Sequence, residues 1–187
     1  MSEPGAAHPG SGANHPGKLR KDRMEIHLRT DDAKLYSRLH VSSLDLGFVQ
    51  YCVGVILKKG WHYRPWEKRG TIYQQQSAFM SAIVTAYARP FTKSFGWPKF
   101  PPELKEFNSG EDVFHLRMIE LRNSVYAHSD SKNYSVRPWR SGKFSTDIVG
   151  APELCISAKE ALLLKQMVNK LQLAIRRRMS QIVSVKH

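Results

Sequence analysis

Between Asp31 and Ser184 apolar residues recur at helical intervals in four stretches, and loops and one β-tolerant region separate them. The pattern becomes helical from Asp31. In SSLDLGFVQYCVGVILKK, Ser43 is placed to cap a helix whose buried stripe would be Leu44, Phe48, Tyr51, Val55 and Ile56. GWHYRPWEKRG follows as a loop broken by Gly60, Pro65 and Gly70, with Trp61 and Trp66 expected over the edge of the core. TIYQQQSAFMSAIVTAYARPF predicts a second helix burying Ile72, Phe79, Ile83, Val84, Tyr87 and Phe91. Because the residue before a proline avoids helical geometry, Pro90 should end or kink this helix at Arg89.

After a Pro- and Gly-containing loop, Ser109 would cap a third helix, EDVFHLRMIELRNSVYAHSD. Its buried stripe would be Phe114, Met118, Leu121 and Val125, with Glu111 and Asp112 at the positive end of the helix dipole. NYSVRPW, KFSTDIVG and ELCIS are short and separated by turn residues, which favours a small hairpin. Ser157 followed by Glu160 forms a capping-box pattern before the longest helical stretch. Ala161, Leu164, Met167, Val168, Leu171, Ile175 and Ile182 make its apolar face. Four helices and one β-like insertion between the third and fourth predict an all-α antiparallel four-helix bundle over residues 23–187. Residues 1–22, rich in Gly, Pro, Ala, Ser and His, read as a disordered tail.

Charge narrows the partners. Twenty-nine Lys and Arg against sixteen Asp and Glu leave a formal +13, spread along the chain in LRKDR, LKKGW, EKRG and IRRRM. That distribution argues for a basic face and for a polyanion partner, nucleic acid ahead of an anionic membrane surface. The most apolar run, Phe48 to Leu57, is too short to span a bilayer, and the N-terminus lacks the apolar core of a secretory signal. Cys52 and Cys155 are far apart and outside any CxxC spacing, so neither a disulfide framework nor a zinc site is expected, and Cys52 reads as a core residue. The expectation is a cytoplasmic protein with no membrane partner, no metal and no cofactor.

The chemistry-bearing residues gather in LRNSVYAHSD, Leu121 to Asp130. Arg122 and His128 are six positions apart, which in a regular helix sets them about 120° apart around the axis. They would not form a side-by-side pair unless the helix ends first or a second element or chain intervenes. A plain helix end accounts for the same residues: His128 near the negative end of the dipole, Arg122 paired with an acid, Asn123 exposed.

An arginine, a polar residue directly after it and a histidine after a gap of five residues resemble the signature of the HEPN superfamily. AYARPF and LRNSVYAHSD together also look like phrases of uncharacterised bacterial members. The resemblance extends from about Asp31 to Ser184, and only the motif is specific. It implies a stand-alone, metal-independent endoribonuclease acting as a homodimer, with two motifs facing across the interface. His128 would move protons, Arg122 would hydrogen-bond the phosphoryl oxygens, and Asn123 would orient the phosphate or the histidine. The product would carry a 2′,3′-cyclic phosphate. Tyr126, Asp130 and Arg89 are candidate supporting residues, each with a simpler structural role in packing, at the helix end or in an ion pair. His115, on roughly the face of Arg122, is not assigned to catalysis. The competing readings are a non-catalytic binding module, such as a regulator or toxin–antitoxin component with a protein partner, and a basic dimeric scaffold. Residues 93–108 are the segment that would decide whether a loop covers the site.

Overall fold

A computed structural model describes residues 26–64, 70–126, 135–150 and 155–184. The expected tail, Trp66, and the candidates His128 and Asp130 lie outside the described residues, as does the side chain of Tyr126. The chain is mainly helical: α1 (Thr30–Lys59), α2 (Thr71–Ala88), α3 (Ser109–Leu121) and α4 (Ala158–Ser184), with one two-stranded antiparallel sheet, β1 (Ser135–Ser141) and β2 (Phe144–Gly150).

The first helix is longer than expected and buries a different face. It starts at Thr30, so Ser43 is an interior residue rather than its cap. Asp31 and Asp32 occupy its first turn and Lys58 and Lys59 its last, each sign matching the dipole. Gly60, at φ 65°, closes it in the left-handed region that glycine enters without strain, its amide donating back to the carbonyls of Ile56 and Leu57. Leu39, Leu46, Val49, Val53 and Ile56 form the buried seam. Of the expected stripe only Ile56 is buried. Leu44 (62% exposed), Phe48 (48%) and Tyr51 (66%) lie outward. The helix carries two apolar seams with the same three-and-four spacing, and periodicity alone does not distinguish which one meets the core. By length and composition α1 could cross a membrane, so the length limit set on Phe48 to Leu57 does not apply to the whole helix. Its inner seam belongs to the protein core.

Pro90 ends α2 as expected: Arg89–Phe91 tighten into a 3-10 turn. Arg38 holds that turn from α1. Its Nη2 donates to the carbonyls of Arg89 (3.0 Å), Pro90 (2.7 Å) and Thr92 (3.2 Å), helping to satisfy the acceptors at the helix end. Burial lowers the pKa of this guanidinium, and Asp45 opposes the shift. The α2 stripe follows expectation at Ile83, Val84 and Tyr87, which are buried, with Phe79 and Phe91 packed at the edge.

The third helix is capped one residue earlier than expected. Asn108 Oδ1 accepts from the Glu111 amide and Glu111 Oε2 accepts from the Asn108 amide, each at 2.9 Å, a reciprocal capping box that leaves Ser109 as the first helical residue. The Glu111 carboxylate is 3% exposed and lies 2.7 Å from Lys170 Nζ, tying α3 to α4. Burial would raise its pKa, but hydrogen bonds from Lys170 and the Asn108 amide outweigh that and hold it below the usual range. Arg117 on α3 also pairs with Glu160 on α4.

Ser157 and Glu160 form the expected capping box at α4. The Ser157 amide donates to Glu160 Oε2 at 2.9 Å and the Glu160 amide to Ser157 Oγ at 3.2 Å. All seven residues of the expected α4 face are buried. Helix α1 packs along both α2 and α4. Gln50 bonds Asn169 and Gln172 bonds the Ser43 carbonyl, two side-chain links between α1 and α4. The expected hairpin forms from the first two β-tolerant runs. Ser141 pairs with Phe144 across a two-residue turn in which Gly142 takes φ 58°, and β1 is exposed along its length. The third run, ELCIS, contributes no strand among the described residues.

Candidate functional site

Phe114 and Met118 anchor α3 in the core, and Leu121 packs at its margin. Beyond Leu121 the helix opens into a π-helical turn, Arg122–Tyr126. Ser124 suggests the local cause. Its Oγ donates to the Glu120 carbonyl at 2.8 Å, the acceptor its own amide would use in a regular α-helix. Single π turns inside helices recur at functional sites. The expected separation of Arg122 and His128, about 120° in a regular helix, falls on His128, outside the described residues.

Arg122 is half-buried and Asn123 exposed. Arg122 Nη1 donates to Asn123 Oδ1 at 3.1 Å, so the motif's first two residues form one polar unit at the end of α3. With Oδ1 accepting from arginine, the Asn123 amide nitrogen is the end suited to donate to a phosphate. Leu116, Ile119, Glu120, Asn123 and Ser124 line a shallow depression beside this pair, with Glu120 its single carboxylate among the described residues.

The supporting candidates fare differently. Arg89 Nη1 lies 2.9 Å from Asp45 Oδ1 on α1, so the ion-pair account of Arg89 is the one the described contacts favour. His115, left out of catalysis, is 5% exposed and shares a 3.0 Å hydrogen bond between Nδ1 and Tyr87 Oη. Phe91 and Phe107 also surround its ring. Burial and the neighbouring Lys105 push its pKa down to about 4, with Asp112 opposing, so the ring is neutral at physiological pH. Burial, Asp112 and Glu111 push the Tyr87 phenol well above its usual range, keeping it protonated.

The loop between α2 and α3 does not read as a plain connector. Phe91, Trp97, Lys99, Phe100 and Lys105 help line a groove of about 730 Å³ against His115, Leu116 and Ile119 of α3. Leu116 and Ile119 line both this groove and the depression at Asn123, so the two are adjacent. Residues 93–105 therefore border the face that carries Asn123. Sequence reasoning missed these lysines and Arg38. The signal for the former was there: in TKSFGWPKFPPELK, lysine alternates with aromatic residues. Arg38 left no signal, because its role depends on carbonyls some fifty positions away.

Among the described residues, no three His, Cys, Asp or Glu side chains are placed together to hold a metal ion. Cys52 is a buried core residue as expected, its thiol pKa raised by burial. No family model, curated protein or solved structure matches the chain.

Proposed function

We propose that this chain is a HEPN-type, metal-independent endoribonuclease, its four helices arranged as an antiparallel bundle and its active form a cytoplasmic homodimer. The observation that carries the reading is the Arg122–Asn123 pair, hydrogen-bonded at 3.1 Å on a π-helical turn at the exposed end of α3. Transesterification of this kind needs a group that moves protons near neutral pH and donors for the charge that builds on phosphorus. His128 suits the first need, because histidine is the side chain whose charge ordinarily changes near neutral pH. The arginine and the Asn123 amide suit the second, because charge-assisted bonds from a guanidinium strengthen as the oxygens become more negative.

In this mechanism the ribose 2′-oxygen attacks the adjacent phosphorus and loses its proton to a base. The bond from phosphorus to the 5′-oxygen breaks and that oxygen gains a proton. The products are a 2′,3′-cyclic phosphate and a 5′-hydroxyl. One histidine per chain must serve two proton transfers, and a second copy of the motif across a dimer interface would supply the other.

One observation favours the alternative of a non-catalytic binding module. Arg122 is turned onto its own neighbour, beside a depression lined by the carboxylate residue Glu120. The two readings part on a single variant. In EDTA, the wild type should cut a labelled RNA pool, and Arg122→Ala should lower the rate by roughly 100-fold or more while leaving the melting temperature nearly unchanged. Equal cleavage by the two proteins would remove Arg122 from the chemistry. No cleavage by either would favour the binding module.

A further inference from the structure

We propose that the groove bordered by the loop from Phe91 to Lys105 holds one or two nucleotides of single-stranded RNA that lead toward Arg122 and Asn123. The choice of RNA rests on the ribonuclease reading; the groove itself rests on its own geometry.

Its volume, about 730 Å³, falls within the range of roughly 300–1,000 Å³ that accommodates small ligands. Lys93, Lys99 and Lys105 line it, and no carboxylate among the described residues does. Three ammonium groups without an acid partner in the lining suit phosphate oxygens. Trp97 adds an aromatic surface, 39% exposed, and Phe95 stands fully exposed two residues before it. Gly96 between them takes φ 76°, a turn that presents both rings on one loop. Aromatic faces beside a cationic track are how single strands are held without sequence preference, bases stacking while the backbone follows the charge.

The floor adds a directional contact. With Tyr87 protonated and His115 neutral, the phenol O–H can donate to Nδ1 across 3.0 Å, and in that tautomer the ring proton sits on Nε2. An N–H donor in a basic groove suits a base carbonyl or a phosphate oxygen. The groove shares Leu116 and Ile119 with the depression at Asn123, so one strand lying along the lysines can reach the motif.

The test uses the full chain and a fluorescein-labelled 12-nucleotide 2′-O-methyl RNA, which lacks the attacking hydroxyl, with binding followed by anisotropy over a salt series. Lys93→Ala/Lys99→Ala/Lys105→Ala should weaken binding tenfold or more and flatten the salt dependence by about two units of slope, given about 0.7 per single-strand phosphate contact. Trp97→Ala should weaken it about tenfold. A control with the same loss of charge elsewhere, Lys58→Ala/Lys59→Ala/Lys165→Ala, should change it less than threefold. Equal losses in the groove and control variants would overturn the proposal, as would absence of binding by the wild type. So would displacement of the RNA by polyglutamate at matched charge, which would assign the groove to an acidic protein. Cleavage of ordinary RNA separates this from the ribonuclease reading. If the wild type does not cleave but the groove variants still lose binding, the ribonuclease falls and the groove stands. If it cleaves and the triple lysine variant keeps its KM, the groove falls alone.

Discussion

Tyr87 Oη on α2 and His115 Nδ1 on α3 lie 3.0 Å apart, a polar bond set among aromatic rings. This pair makes the wall between the two helices sensitive to acid. The histidine pKa is lowered from 6.5 to about 4, so between those values the unfolded chain takes up a proton that the folded one refuses. Stability is therefore complete above about pH 6.5 and falls as pH drops toward 4, by up to about 3 kcal/mol for a shift of this size. Glu111 and Glu160, whose pKa values are lowered, add their own loss only below the ordinary carboxylate range. Urea midpoints between pH 7 and 5 isolate the histidine, and His115→Gln should flatten the profile in that window.

The Glu111–Lys170 pair should respond asymmetrically to mutation. Lys170→Met strands a buried carboxylate and should cost up to about 3 kcal/mol. Glu111→Gln keeps the Asn108 capping contacts and releases a lysine that is already partly solvated, so about 1 kcal/mol is expected. Urea denaturation at pH 7 orders the two variants. The opposite order would mean that the carboxylate, not the ammonium, is the group that water can reach.

Arg38 fixes the end of α2 through three carbonyls. Arg38→Met leaves these acceptors without the guanidinium and should destabilise the protein by about 2 kcal/mol. Hydrogen exchange should show the loss first at the amides of the Arg89–Phe91 turn.

On α1, neighbouring positions should behave oppositely. Leu46→Ala, on the inner seam, should cost about 2–5 kcal/mol. Phe48→Ser, on the outer seam, should change stability by no more than about 0.5 kcal/mol. Thermal melts of the two variants decide which seam meets the core.

The contrast on α1 also explains what could be read from the residues beforehand. Where a helix had one apolar face, as in α4, its cap, length and buried positions were all legible, because Ser157, Glu160 and the spacing agree. Where a helix has two, pattern alone leaves the choice open, since Leu44, Phe48 and Tyr51 repeat as regularly as Leu46, Val49 and Val53. The cap of α3 was placed one residue late because Asn108 and Ser109 are both good caps, and Glu111 stands three residues after Asn108, completing the box there. At the candidate site, the residues were legible but their geometry was not. The π turn at Arg122–Tyr126, with Ser124 Oγ bonded to the Glu120 carbonyl, is a feature that no residue count reveals.

The proposal that Arg122, Asn123 and His128 form the reactive centre of a ribonuclease is tested by end-group analysis of RNA incubated in EDTA with the wild type and with His128→Ala. If they do, the wild type leaves 2′,3′-cyclic phosphate ends and the variant does not. Cyclic ends produced equally by both proteins would rule the proposal out.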